Sequence, residues 1–463
     1  MNETAKQSNT FTTSLPTAVV PSKISAPKLG LTDALVIIIG VVVGAGIFRS
    51  PGLVASNTGS IPLFFGAWML GGVVSLTGAL CYAELSTTYP SAGGDYHFLK
   101  KAFGRRFAFL FAWARLSVIQ TGSIALLAFI VGDYLTPIYS LGPYSSSIYA
   151  AFMVVILTGV HALGLRSGTG AQKLLIGFQF LGILVLVAGA FLITPSSERL
   201  AEIPLNSSVG GSTMGLALVF VLLTFGGWNE AGYISSELKD GSRKMVSVLI
   251  ISILIITMLY LILNLAFLNV LGFNRLANSD TVGASAMYVL FGSTGEWIFA
   301  LLIAITALTS VNATIFTGAR TNYALGKDTK QLSFLGQWSE RTSSPVHALW
   351  VQAGIALLLI FIGSIARNGF EAMVEFTAPV FWFFFLSVGI SLFVLRQKDS
   401  NIHRPFKVPL YPLLPLLFCG MCAYLLYSSV AYAGRGALLG IGIVFSGFLI
   451  SYLIRFDVKH KTD

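Results

Sequence analysis

Long apolar runs alternate with short polar connections along nearly the whole chain. A membrane-spanning helix needs about 20 predominantly apolar residues, and about twelve runs of that kind can be read from the sequence. They begin near Leu31, Leu63, Phe107, Ile148, Leu174, Met214, Val246, Gly295, Leu349, Phe370, Tyr411 and Leu438. This pattern predicts an all-α integral membrane protein of about twelve transmembrane helices, with little of the chain outside the bilayer.

The first apolar run is interrupted where an unbroken helix would be expected. It contains Gly40, Gly44 and Gly46, and Pro51 follows soon after. Broken helix is tolerated at membrane depth only beside protein or a polar cavity, because every backbone N–H and C=O must be paired. The free amides and positive dipole end of the resumed half-helix suit a carboxylate. Such an interruption is typical of the binding site of a secondary transporter.

A second interruption, Phe225-Gly226-Gly227-Trp228-Asn229-Glu230, lies in the sixth run. Corresponding breaks five runs apart predict two inverted five-helix repeats with the ligand between them, followed by two C-terminal helices. The predicted organisation is a disordered cytoplasmic N-terminal tail (1–30), a first repeat (31–195), a second repeat (212–397), two further helices (410–455) and a cytoplasmic C-terminal tail (456–463).

Composition and charge agree with a membrane location. Charged residues make up 10% of the chain, whereas soluble domains average about 25%. The net charge of +10 reflects topology rather than nucleic acid binding, because basic residues concentrate in the connections that share one side with both termini. Examples are Lys100, Lys101, Arg105, Arg106, Arg404 and Lys407. By the positive-inside rule, both termini are predicted to be cytoplasmic in a multi-pass plasma membrane protein.

The sequence contains no pattern that indicates an enzyme, a metal or a cofactor. Cys81, Cys419 and Cys422 all fall within predicted spans, and the Cys419/Cys422 pair has no second ligand pair, so packing roles are expected. No phosphate-binding loop, HExxH or GxSxG motif occurs in the required context. A channel is not indicated either, because no filter sequence or ring of charge is apparent.

Five motifs occur in a specific order between about Leu31 and Leu417. They are Gly44-Ala45-Gly46-Ile47-Phe48 with Pro51-Gly52; Tyr82-Ala83-Glu84-Leu85 with Pro90 and Ala92-Gly93-Gly94; Gly226-Gly227-Trp228-Asn229 with Glu237-Leu238-Lys239; Ser310-Val311-Asn312; and Arg404-Pro405-Phe406-Lys407-Val408-Pro409 with Tyr411-Pro412. Together they resemble the amino acid–polyamine–organocation (APC) transporter superfamily, in particular its L-type amino acid transporter-like branch.

The resemblance implies a five-plus-five inverted-repeat fold, alternating access and an amino acid substrate. Family members hold the substrate carboxylate on backbone amides of the first break, and its ammonium on backbone carbonyls at both breaks. The corresponding amides are those of Gly44, Ala45 and Gly46, and the carbonyls are those of Val42, Leu223 and Gly226. Asn229 would shape the side-chain pocket. Phe225 would close over the ligand, unless Leu223 occupies the gate position.

Two residues depart from the family pattern and bear on coupling. Gln179 stands where proton-coupled relatives and exchangers often have a lysine, so it is either a coupling residue or a structural partner of the first break. Glu230 directly follows the second break, where relatives commonly have a neutral residue. A carboxylate within a span is a functional candidate by default. Glu230 could carry a proton, pair with a cationic substrate or tie down the unwound segment.

Two further acidic residues, Glu84 and Glu237, lie near the predicted cytoplasmic ends of their helices and are inner-gate candidates. The stretch 137–147 lacks the cysteine through which mammalian relatives bond to a heavy chain, so an autonomous, bacterial-type permease is expected. The leading prediction is an amino acid proton symporter or exchanger, with possible partners limited to the substrate, protons and membrane lipid. The alternative is an amine or polyamine antiporter of the same fold.

Overall fold

A computed structural model describes residues 35, 38–40, 42–91, 93–164, 169–192, 211–230, 241–366, 368–432 and 435–454. The side chains at 169–176, 211–212, 230, 241–245, 432 and 435 are outside this description. The predicted terminal tails and the inner-gate candidate Glu237 also lie outside the described residues.

The described chain is built from α-helices joined by short connections. They are α1 (Ser50–Thr58), α2 (Ile61–Thr88), α3 (Gly94–Phe103), α4 (Arg105–Leu135), α5 (Ser145–Ala162), α6 (Thr169–Leu192), α7 (Gly211–Thr224), α8 (Gly241–Leu271), α9 (Phe273–Ala277), α10 (Val282–Asp328), α11 (Val346–Ile365), α12 (Gly369–Lys398), α13 (Leu413–Tyr432) and α14 (Arg435–Leu453). Short 3₁₀ helices cover Ala45–Phe48, Trp228–Glu230 and Lys330–Leu332.

Within the described ranges, nine helices are long and apolar enough to cross a membrane, and Gly177–Leu192 and Thr213–Thr224 form shorter apolar helices. With the interrupted first segment, they account for the predicted apolar runs. Large apolar side chains such as Phe152, Leu184, Met258 and Phe361 are exposed on the outer surfaces of the helices, where lipid replaces water as the solvent. The all-helical membrane fold is therefore confirmed, while the inverted repeat remains a prediction.

Two long helices depart from regular geometry at identifiable positions. In α10, Gly292 has a φ of 69°, and a residue without a Cβ adopts this left-handed region readily. The bend separates residues 282–291 from the remainder of the helix. In α4, residues Arg115–Ile119 form a π-helical turn, which is a feature often found at functional sites.

Close approach between helices places the interrupted α7 against α2. A Cβ at Gly71 would lie 2.3 Å from the Val221 side chain, and one at Gly72 would lie 2.5 Å from Thr257 of α8. Small residues at such contacts let the backbones of membrane helices approach each other. The α2 helix is therefore clamped between α7 and α8, and this packing fixes where the second break lies.

Candidate functional site

The first break replaces helical hydrogen bonding with a tight turn. The Val43 N–H still donates to the Ile39 carbonyl at 2.8 Å, but the Gly44 N–H turns back to the Val42 carbonyl, also at 2.8 Å. A 3₁₀ segment follows over Ala45–Phe48, and α1 then begins at Ser50 with Pro51 in its first turn. Proline suits this position because the first N–H groups of a helix have no intrahelical acceptor.

The second break begins where α7 ends at Thr224. The Gly226 N–H donates to the Leu223 carbonyl at 3.0 Å, and Gly227 has a φ of 107°. The left-handed conformation at Gly227 favours glycine. A Cβ at Gly226 would also lie 2.8 Å from the Leu223 carbonyl oxygen. The paired glycines thus allow the chain to leave the α-helix through a turn before the 3₁₀ turn Trp228–Glu230.

The two breaks contact each other directly. The Thr224 hydroxyl, at the end of α7, lies 2.7 Å from the Ser50 hydroxyl at the start of α1, and it donates to the Phe220 carbonyl at 2.8 Å. Thr224 is also what a Cβ at Gly46 would meet, at 3.7 Å. The structure therefore places Gly46 of the first break beside Thr224, the last residue of α7 before the second break.

Tyr260 of α8 joins both breaks and was missed by sequence reasoning. Its hydroxyl lies 3.0 Å from the Val42 carbonyl and 3.0 Å from the Thr224 carbonyl, and its side chain is fully buried. A tyrosine within an apolar span must find an acceptor for its hydroxyl, and this requirement was the available signal. The Tyr260 hydroxyl therefore forms a hydrogen bond with the Val42 carbonyl, one of the carbonyls predicted to bind a substrate ammonium.

An aromatic cluster of Trp68, Phe225 and Tyr260 covers the second break. The Phe225 and Tyr260 rings meet edge to face with centroids 4.9 Å apart, and Trp68 lies 5.7 Å from Tyr260 and 6.3 Å from Phe225. Phe225 is 1% exposed, so the predicted lid residue is enclosed. Leu223, the alternative gate residue, is half-buried beside it.

The other site candidates fall at different distances from the breaks. Gln179 of α6 donates through Nε2 to the Val43 carbonyl at 2.7 Å, which ties that helix to the first break. Asn229 is buried within the 3₁₀ turn after the second break. The backbone of Glu230 ends the same turn, but its side chain lies outside the described residues.

Glu84 lies away from the breaks, near the end of α2. Its carboxylate is fully buried and forms a two-point ion pair with Arg396 of α12, with Nε at 2.8 Å from Oε1 and Nη2 at 2.5 Å from Oε2. The Val408 N–H donates to Glu84 at 2.7 Å, and Arg404 approaches it at 3.7 Å. Glu84 therefore joins α2 to α12 and to the connection that follows α12.

The same connection is tethered at Asp399, where the Tyr89 hydroxyl donates to the carboxylate at 2.8 Å. Burial, and then this hydrogen bond, raise the pKa of Tyr89 to about 12, so the phenol keeps its proton at neutral pH. Arg404 donates to the Leu395 carbonyl at 3.0 Å. These contacts hold the segment carrying the Arg404-Pro405-Phe406-Lys407 motif against α2 and α12.

The described part of the chain holds no group of three or more His, Cys, Asp or Glu residues arranged to bind a metal ion. Cys81 and Cys422 are buried, and Cys419 is half-buried, all as free thiols.

Interrupted helices that meet inside a bundle of apolar spans are typical of one class of protein, the membrane transporters. Residues 29–451 match the model of the amino acid permease family, and the chain belongs to that family. The prediction of an APC superfamily protein that transports amino acids across a membrane is confirmed at this level.

Known proteins of similar sequence come from animals and bacteria. The chain is 28% identical to the b(0,+)-type amino acid transporter 1 of Rattus norvegicus over 93% of this chain and 90% of that protein. It is 28% identical to the Asc-type amino acid transporter 1 of Mus musculus, over 92% and 81% respectively. It is 25% identical to the serine/threonine exchanger SteT of Bacillus subtilis, over 92% and 96%.

Proposed function

We propose that this protein is a secondary active transporter that moves amino acids across the plasma membrane by alternating access, as a proton symporter or as an amino acid exchanger. The observation that carries the proposal is the direct meeting of the two helix breaks, joined by the Thr224–Ser50 contact and by the Tyr260 hydroxyl. Backbone groups of opposite polarity are concentrated there, as a zwitterion requires.

Ligand binding at this place is an exchange of hydrogen bonds. The Gly44 N–H and the Val42 and Leu223 carbonyls already have partners within the protein. In the proposed complex, the substrate carboxylate accepts hydrogen bonds from the amides of Gly44, Ala45 and Gly46. The substrate ammonium replaces the Tyr260 hydroxyl at the Val42 carbonyl. The carbonyls of Leu223 and Gly226 accept its remaining hydrogen bonds. Binding therefore changes the link between the breaks.

The walls of the proposed site and the relatives both support a proposal for the substrate class. Trp68, Phe225 and Tyr260 are aromatic and Asn229 is a neutral polar residue, so we propose neutral amino acids as the substrates. One relative is a serine/threonine exchanger, which makes serine the first probe. Glu230 and Gln179 remain the candidates from sequence for coupling or for contact with a charged substrate.

The proposed location is a bacterial inner membrane, with both termini in the cytoplasm. The support is the asymmetry of the basic residues: Lys100, Lys101, Arg105 and Arg106 flank the α3–α4 connection, on the side assigned to the cytoplasm. In this orientation, Glu84 and Arg396 lie at the cytoplasmic side, and α9 with the start of α10 lies outside. No heavy-chain subunit is part of the proposal.

The test of the binding site compares two glycine-to-alanine variants in proteoliposomes. The added methyl of Gly46→Ala fits the protein at ordinary contact distance, 3.7 Å from Thr224, but it occupies the space through which a ligand approaches the backbone. We expect serine counterflow to fall by about tenfold or more, equivalent to about 1.4 kcal/mol. Gly354→Ala, a position with nothing within 4 Å of the added methyl, is the matched control.

Equal counterflow by the two variants would contradict the placement of the site. Competition distinguishes the alternative function: inhibition by spermidine together with no inhibition by neutral amino acids would support an amine antiporter instead.

A further inference from the structure

A small cavity lies between α7, α12 and α13, away from the two breaks. Its volume is about 20 Å³, enough for about one water molecule. The α7 side is apolar and is formed by Leu216, Val219 and Phe220, whereas α12 contributes Glu371 and Glu375 and α13 contributes Ser429. Both carboxylates are half-buried in the first two turns of α12, and a carboxylate within a membrane segment is a functional candidate by default.

The two carboxylates have different surroundings. Glu371 is held in the first turn of α12, where its N–H donates to Asn368 Oδ1 at 3.3 Å and its carboxylate accepts from Asn368 Nδ2 at 2.9 Å. Glu375 lies one turn further along, about 9 Å from the start of the helix. Among the described residues, no side chain forms a hydrogen bond or an ion pair with Glu375.

Ser429 provides an independent indication that the cavity takes a ligand. Its side chain is 3% exposed, lines the cavity and has no hydrogen-bond partner within the described part of the protein. A buried hydroxyl without a partner costs about 1–3 kcal/mol. A protonated carboxyl group, or a water molecule held by one, would supply the missing hydrogen bond.

The surroundings of Glu375 can be described for α7, α12, α13 and α14 from Gly436 onward, whereas the side chain of Arg435 lies outside the described residues. The α7 wall and the Ser429 wall are neutral, and a Cβ at Gly436 of α14 would lie 3.4 Å from Glu375 Oε2. Glu371 is the titratable neighbour on the same helix, and Arg49 and Asp280 act on Glu371 from α1 and the α9–α10 connection. Like charges one turn apart disfavour simultaneous ionisation.

The ligand indicated by these groups is a proton. A hard metal cation such as Ca²⁺ takes about six to eight oxygen ligands, whereas two carboxyl groups and one hydroxyl face this cavity among apolar walls. A carboxyl pair that shares one proton needs no further ligands. Protonation transfers H⁺ from a hydronium ion to a Glu375 oxygen and leaves water, and the resulting O–H can donate to Ser429 Oγ.

We propose that Glu375, supported by Glu371 and Ser429, is the proton-binding site that couples a proton gradient to amino acid movement, which rests on the proposed function. The route to the second break is short. Phe220 forms part of the cavity wall, and its carbonyl accepts the Thr224 hydroxyl at 2.8 Å, next to Ser50 of the first break. Protonation or deprotonation of Glu375 in this cavity would thus act on the last turn of α7.

The experiment measures two activities of the full-length protein in proteoliposomes with the membrane potential clamped at zero. Serine counterflow at equal pH needs no net proton movement. Serine accumulation under an inward gradient of one pH unit reaches up to about tenfold at one proton per substrate, because a tenfold ratio corresponds to about 1.4 kcal/mol. We expect Glu375→Gln to retain measurable counterflow while its accumulation ratio falls to about one.

Three variants complete the comparison. Ser429→Ala should keep accumulation but shift the pH midpoint of uptake, because it removes only the hydroxyl. Glu296→Gln makes the same chemical change on α10, outside the cavity, and should accumulate serine like the wild type. Glu230→Gln tests the other acidic candidate: a loss of accumulation there, with accumulation preserved in Glu375→Gln, would overturn the proposal.

Two further outcomes would also overturn it and separate it from the proposed function. Wild-type counterflow without any response to the pH gradient would contradict a proton site while leaving amino acid exchange intact. Absence of counterflow with all neutral amino acids would contradict the proposed function itself. A direct readout uses infrared difference spectra between pH 8 and pH 5, in which a protonated carboxyl band should appear in the wild type and be missing in Glu375→Gln.

Discussion

Individual residues at the breaks combine backbone hydrogen bonding with side-chain anchors. Tyr260 is the clearest case, because one buried hydroxyl reaches carbonyl groups of two different helices, at Val42 and Thr224. Gln179 of α6 likewise anchors the first break, by donating a hydrogen bond to the Val43 carbonyl. In an apolar environment an unmade hydrogen bond is expensive, so these side chains fix the shape of backbone that would otherwise have no regular partner.

The effect of the Tyr260 hydroxyl can be isolated with Tyr260→Phe, which preserves the ring contacts with Phe225 and Trp68. We expect the free energy of unfolding to fall by about 1–3 kcal/mol, because buried carbonyl groups lose a donor, and serine counterflow to decrease as well. Thermal unfolding in detergent and counterflow would measure the two effects. Tyr427→Phe, at a tyrosine 69% exposed on α13, is the control, and equal behaviour of the two variants would contradict the bridging role.

At the scale of helices, ion pairs join elements that are distant in sequence. Glu84 is 0% exposed and pairs with Arg396, so the end of α2 is tied to the end of α12 and, through the Val408 N–H, to the segment before α13. This is the region predicted to act as an inner gate, and that role remains a prediction. A buried carboxylate with three donors restrains the relative positions of α2 and α12.

Removing only one partner of this pair should be strongly destabilising. Glu84→Gln leaves the guanidinium groups of Arg396 and Arg404 without their counter-charge, and the expected loss is about 3–5 kcal/mol. Combining it with Arg396→Gln should cost less than the sum of the two single changes, because the pair is removed together. Thermal unfolding of the four species of the cycle tests this. Additive losses, or a loss no larger than in the exposed control Glu340→Gln, would argue against the pair.

For the whole molecule, a contact on the predicted outer side joins two segments that are remote in the sequence. Arg49, at the start of α1, is 1% exposed and reaches Asp280 in the α9–α10 connection through Nη1–Oδ1 at 2.6 Å, while its guanidinium lies 5.5 Å from the Phe370 ring of α12. A Cβ at Gly52 would lie 2.4 Å from the Ser279 carbonyl. Any movement of α1 away from the α9–α10 connection must separate these groups.

Arg49→Gln is therefore expected to loosen α1 against the outer connection. Amide hydrogen exchange over Ser50–Thr58 should accelerate by about tenfold, corresponding to about 1.4 kcal/mol, because local opening no longer breaks a charged contact. Arg275→Gln changes an exposed arginine in α9 of the same outer region and should leave this exchange unchanged. Unaltered protection of α1 in Arg49→Gln would show that the contact does not hold α1 against the α9–α10 connection.

The sequence by itself determined that this protein lies in a lipid bilayer and that its secondary structure is helical. Runs of about 20 apolar residues can be stable only as helices in a bilayer, and the glycines at 44, 46, 226 and 227 identify both interruptions because few other residues permit such turns. The five ordered motifs indicated the family for the same reason, since they mark turns and helix ends. The apolar runs, the glycine breaks and the motifs each depend on spacing within a short segment, which can be read directly from the sequence.

Only the tertiary structure decided which side chains contact the helix breaks and join the helices to one another. Tyr260, Arg49 and Glu375 have no distinguishing neighbours in sequence, and they stand out only through groups that are distant along the chain: the carbonyls at both breaks, Asp280, and the cavity with Ser429. Such contacts depend on the rotation and crossing of packed helices, which small residues such as Gly71 and Gly72 permit without specifying a partner. The apolar pattern determines which segments cross the membrane as helices. Side-chain packing determines which face of each helix contacts which neighbouring helix.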